Sequence, residues 1–293
     1  PPRLVRLTDA LLGWMPGGLA IVALALSCAV VWAETAEDDA ALRSELKAFV
    51  DPANWRLGLG VAAVDYPAYP GAKQRDLLIS PIPWAEYQSE RLSVGRDGFA
   101  ATLGESKFAR LDLSVSGSLP VDNARGSLRD GMPDLELMVE IGPSLELAIW
   151  SGRQQALELH LPVRKVLAVA SASSIYGEGY VFDPRLHYSR NSEWRLGSRS
   201  AAVEWELDAG ALYGDRDYTQ LFYQVDPRHA TANRAAYRAE SGLVGVRLSS
   251  TLTVDSGPWL LMGYLRLFDL GSSDNRASPL LAKTQYALAG AAL

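Results

Sequence analysis

The chain of 293 residues holds one cysteine, three histidines and four methionines. Cys28 lies inside an N-terminal apolar run, so neither a disulfide framework nor a cysteine-based zinc site is open to the rest of the chain. An excess of basic charge is also missing: 28 Lys and Arg stand against 34 Asp and Glu, a formal net charge of −6. With no basic block to neutralise phosphates, nucleic acid is excluded as an expected partner. Beyond Ala33 there is no run of 18 apolar residues, so no later segment is a candidate membrane helix. No Gly-x-Ser-x-Gly, His-Glu-x-x-His or phosphate-cradling glycine loop occurs either. No catalytic residue, metal ligand or cofactor is therefore expected.

What is present begins with an address. Arg3 and Arg6 precede the apolar run from Gly17 to Ala33, which stops at Glu34. Val31 and Ala33 sit where signal peptidase reads small residues, so 1–33 is expected to be a signal peptide. The acidic segment 34–54 is expected to be a periplasmic leader.

From residue 55 onward the pattern has a period of two. Leu135, Leu137, Val139, Ile141, Leu145, Leu147 and Ile149 oppose Glu136, Glu140, Ser144 and Glu146. After the turn Ser151-Gly-Arg-Gln154, Leu157, Leu159, Leu161, Val163, Leu167 and Val169 alternate with Glu158, His160 and Arg164. Such runs have one greasy and one polar face, and they are too long for an ordinary globular sheet. Transmembrane strands need about 9–11 residues each, which these satisfy. Trp55, Tyr87, Trp150, Tyr188, Trp194, Tyr213, Trp259 and Tyr286 fall near the run ends, as interfacial girdles require. The expected fold is all-β, a transmembrane antiparallel up-and-down barrel over 55–293 of about twelve strands, with ten to fourteen admissible. The alternation changes phase near Ser200, which suggests a β-bulge inside a strand spanning 193–214, preceded by one spanning 178–190.

The predicted inward faces carry Arg110, Asp112, Glu136, Glu140, Arg164, Arg185, Glu204, Glu206, Arg247 and Arg266, together with Glu146, Glu158 and Asp208. Such mixed charges either fill a lumen with ion pairs or line a wet pore. With the N-terminus periplasmic, 66–74, 120–133, 171–177, 215–241 and 270–281 lie outside. Two of these loops suit a surface contact: Tyr66, Pro67, Tyr69 and Pro70 in one, Asp215, Asp217 and Tyr218 in the other. Asp215 and Asp217 with His229 are also the residues that could activate a water, if the barrel were a hydrolase.

Several blocks resemble the MipA/OmpV outer-membrane family. They are Leu57-Gly-Leu-Gly-Val with Asp65-Tyr-Pro-Ala-Tyr-Pro-Gly71, Ile79-Ser-Pro-Ile-Pro-Trp84, Gly131-Met-Pro-Asp134, Glu140-Ile-Gly-Pro143, Asp215-Arg-Asp-Tyr218, Phe222-Tyr-Gln-Val225 and Ser278-Pro-Leu-Leu281. The resemblance implies a non-enzymatic outer-membrane scaffold in peptidoglycan assembly. In that role it would link a murein-degrading lytic transglycosylase to a bifunctional penicillin-binding protein, with outer-membrane lipid around the barrel. The competing expectations are a small-solute channel and an outer-membrane hydrolase.

Overall fold

The computed structural model describes residues 51, 54–89, 92–95, 98–118, 127–171, 174–196 and 199–293. The expected signal peptide and nearly all of the expected leader lie outside these residues. Thirteen antiparallel strands form one sheet: β1 (Trp55–Pro67), β2 (Arg75–Gln88), β3 (Leu92–Gly95), β4 (Gly98–Glu105), β5 (Ala109–Ser118), β6 (Leu137–Ser151), β7 (Gln155–Ser171), β8 (Ser174–Phe182), β9 (Arg185–Leu196), β10 (Arg199–Gly214), β11 (Gly242–Asp255), β12 (Leu260–Asp269) and β13 (Gln285–Ala292). β13 pairs with both β12 and β1, so the sheet closes on itself. β8 and β9 both pair with β7, β8 along its C-terminal half and β9 along its N-terminal half. They are one stave, broken at Asp183 and Pro184, and the described residues form twelve staves. No described helix is long and apolar enough to cross a membrane.

The period of two becomes a wall with two faces. Leu59 is 91% exposed, and Leu57, Leu77, Ile79, Ile149, Val163, Leu186, Leu248 and Leu265 are exposed on the same outer surface. An apolar belt of this extent fits lipid and not water. Exposed tryptophans Trp150, Trp194 and Trp259 gather at the end with the short turns, while exposed Tyr176, Tyr180 and Tyr213 gather at the other end. Two expected girdle residues instead point inward. Tyr87 is buried against Trp55 with ring centroids 5.3 Å apart, and Tyr286 stacks on Phe268 at 4.7 Å.

The phase change near Ser200 has a different cause from the expected bulge. Arg199 pairs with Leu196 and Gly210 with Arg185, so one stave ends at Leu196 and the next begins at Arg199. A hairpin connection reverses the chain, and that alone resets which parity faces outward. The expected outer loop 171–177 is likewise mostly strand, since β8 starts at Ser174.

The larger of two apolar clusters is at the end away from Tyr87. Segments 68–74, 127–136, 215–241 and 270–284 fold together there as a cap. It contains the helix α1 (Arg216–Tyr223) and a 3-10 turn (Pro227–His229). Tyr69, Leu135, Phe222, Tyr223, Val225, Leu270 and Leu280 form one buried cluster with the inward side chains Val166, Val181 and Tyr286 of three separate staves. The cluster therefore reaches across the mouth of the barrel.

Candidate functional site

Two polar assemblies lie on the inner side of this wall, one below the cap and one within it. The upper lumen is organised around the break in the β8–β9 stave. Pro184 has no N–H to give to a ladder, and Asp183 before it turns its carboxylate into the barrel. That side chain is 1% exposed, and its Oδ2 receives Arg164 at 3.3 Å, Arg185 at 3.5 Å and Arg247. Arg164 also binds Glu140 at 3.0 Å, and Arg185 approaches Asp208 at 3.4 Å. Arg266 donates to the Ser249 hydroxyl at 3.0 Å. Five staves, β6 to β11 with β8–β9 counted as one, are thus tied through Asp183 and its partners. Burying such charges is close to neutral in net stability, whereas removing one partner is costly, so the assembly chiefly fixes geometry.

The next row toward the turn end is set by ladder register. Glu105, Arg110, Glu146, His160 and Arg185 are consecutive cross-strand partners from β4 to β9. Arg110 binds Asp112 at 2.9 Å and also Glu146. His160 Nε2 lies 3.0 Å from Glu158, and His187 Nδ1 lies 3.0 Å from Asp208. The two imidazole rings are 4.9 Å apart. Glu146, Glu158 and His160 bring potential ligand atoms within 4.8 Å of one another. Glu204 and Glu206 project half-buried from β10. Glu136 stands apart from these, because it precedes β6 and faces the cap.

In the cap, a cleft of about 440 Å³ is lined by Asp134, Glu136, Glu178, Asp217, Asp226 and His229, among others. Asp217 and His229 thus share a cleft, as their place in one loop suggested. Asp215 does not join them: its Oδ1 accepts from the Tyr218 N–H at 3.0 Å and caps α1. Of the expected contact residues, Pro67, Tyr69 and Tyr218 are buried and Asp217 is exposed, with Tyr66, Pro70 and Asp215 between these extremes. The Tyr69 hydroxyl donates to the Leu280 carbonyl at 2.8 Å, and burial pushes its pKa up to about 12. Burial likewise raises Tyr218 and Tyr223, so all three remain neutral phenols that hold loops together.

Two arginines brace the cap in ways that the sequence did not signal. Arg129 donates to the carbonyls of Leu221 at 2.8 Å and Pro133 at 3.1 Å, and burial lowers its pKa. Arg234 donates to the carbonyls of His229, Leu128 and Asp130. The role of Asp183 was also missed, although an Asp-Pro pair interrupting an alternating run was a signal for it.

A family model described as MltA-interacting protein MipA matches residues 57–293. None of the curated proteins matches the chain. Among solved structures, one described as a bacterial polysaccharide outer membrane secretin is similar over 83% of this chain and 98% of that one, at 10% identity and a TM-score of 0.38. A likeness so distant carries no conclusion.

Proposed function

As the chain belongs to the MltA-interacting protein MipA family, we propose that it is a non-enzymatic outer-membrane barrel that holds a lytic transglycosylase at the membrane. Through that enzyme it reaches a penicillin-binding protein. In this reading residues 1–33 are removed on export, the cap faces outward, and the short turns and the leader 34–54 face the periplasm.

One observation carries the reading: cap residues form one apolar cluster with Val166, Val181 and Tyr286 at the mouth, above the Asp183 ion pairs, and this favours a barrel that conducts little. Such a barrel leaves its two rims as working surfaces. The family description supplies the partner chemistry. A channel is the second reading, supported by the half-buried Glu204 and Glu206 on the wall nearer the turns.

The test pairs planar-bilayer recording with capture on an immobilised lytic transglycosylase. A silent barrel that is retained on the enzyme supports the scaffold. Steady ion-selective steps without retention replace it with the channel.

A further inference from the structure

Glu146 and His160 face each other across the β6–β7 ladder, and Glu158 lies two residues before His160 on the same inward face. His160 Nε2 is 3.0 Å from Glu158 Oε2, and its Nδ1 is 3.6 Å from Glu146 Oε1. A four-coordinate ion with bonds of about 2.0–2.1 Å separates its ligand atoms by roughly 3.3 Å. The three residues hold donor atoms within 4.8 Å of one another. Because Glu146 faces Nδ1 and Glu158 faces Nε2, the ion sits on one of these nitrogens and the carboxylate at the other swings towards it.

We propose that Glu146, Glu158 and His160 form a binding site in the lumen for a divalent metal ion of the zinc class. Two carboxylate oxygens and one imidazole nitrogen are a borderline donor set, which favours zinc over magnesium or calcium with their all-oxygen shells. A neutral imidazole binds the ion through the nitrogen that carries no proton and keeps its single N–H on the other. Water takes the fourth position.

The surroundings fit this use. Arg110 occupies Glu146 Oε2, which leaves Oε1, the atom nearer His160, for the ion. Arg185 lies 3.4 Å from His160 Nδ1 and has Asp183 and Asp208 as its other partners, to which it turns when the ion is bound. Such outer contacts orient metal ligands. The Glu158 side chain is 32% exposed against 10% for His160, so the ion enters past Glu158.

The test is calorimetric titration of the refolded, chelator-treated full chain with zinc chloride. One ion per chain is expected. His160→Ala should weaken binding at least ten-fold and Glu158→Gln should weaken it measurably, while His229→Ala in the cap leaves it unchanged. Absence of binding overturns the proposal, as does binding indifferent to His160→Ala or lost equally with His229→Ala. Should His160→Ala fail to fold, X-ray absorption of the unsubstituted zinc-loaded protein decides. A shell with one imidazole nitrogen and oxygens supports the site, and an oxygen-only shell overturns it.

Discussion

Asp183 uses a single carboxylate oxygen for three guanidiniums. Asp183→Ala leaves these cations facing one another below the cap, and a loss of about 3–5 kcal/mol is expected, as for other broken buried pairs. The drop in the temperature at which the protein loses its folded migration on SDS gels measures it. Asp183→Asn keeps the shape and should fall between. Tyr69 makes a prediction in pH. Its phenol is raised to about 12 by burial, so between about 10 and 12 the unfolded chain ionises first and stability falls as pH rises, with the full contribution present below about 10. Tyrosinate absorbance followed against pH should show Tyr69→Phe losing one late-titrating phenol. Period two made the parity of a charge within a strand readable in the sequence, whereas Glu136 precedes β6 and lines the cap cleft. Which charge would be the hub was not legible, since Arg247 and Asp183 are 64 residues apart.

The strands were the most legible elements, and the errors at their ends have a common origin. Parity marks a face, but it changes equally at a bulge and at a reversal, so 193–214 looked like one strand where the chain turns. Helix α1 was not legible at all, being only eight residues long and shorter than any period can establish. It is placed by contact: a Cβ at Gly179 would lie 2.2 Å from Asp215 Oδ1 and 2.6 Å from the Tyr218 N–H, at a backbone φ of +97°. Gly179→Ala should therefore push α1 off β8, at a cost of about 1–3 kcal/mol. Faster proteolysis within 215–241 in intact liposomes is the expected readout. Asp215→Ala removes only the cap and should cost about 1 kcal/mol. Unchanged proteolysis within 215–241 in Gly179→Ala would refute this placement of the helix.

At the scale of the molecule, the outer belt sets the strongest expectation. Leu59→Arg places a charge on a side chain that is 91% exposed to the surrounding medium. If that medium is hydrocarbon, refolding into vesicles should lose about 2–4 kcal/mol, whereas a soluble sheet would register almost nothing. The barrel as a whole was legible because its long staves repeat the same code, which the four residues of β3 are too few to show. The cap was not, because its loops have no period and its bonds join distant segments, Tyr69 to Leu280 being 211 residues apart. The β8–β10 junction carries a further consequence. Only Tyr213 with Phe182 and Gly214 with Val181 pair there, and beyond them α1 packs against β8 in place of a strand. Considered as a hoop under load, this wall has one spliced slat. Most of the circumference resists the lateral pressure of the bilayer with ladders of backbone hydrogen bonds, whereas the splice resists it largely with side-chain packing. A thinner or more tightly packed membrane would make the hoop yield there first, at the end of the wall that carries the cap.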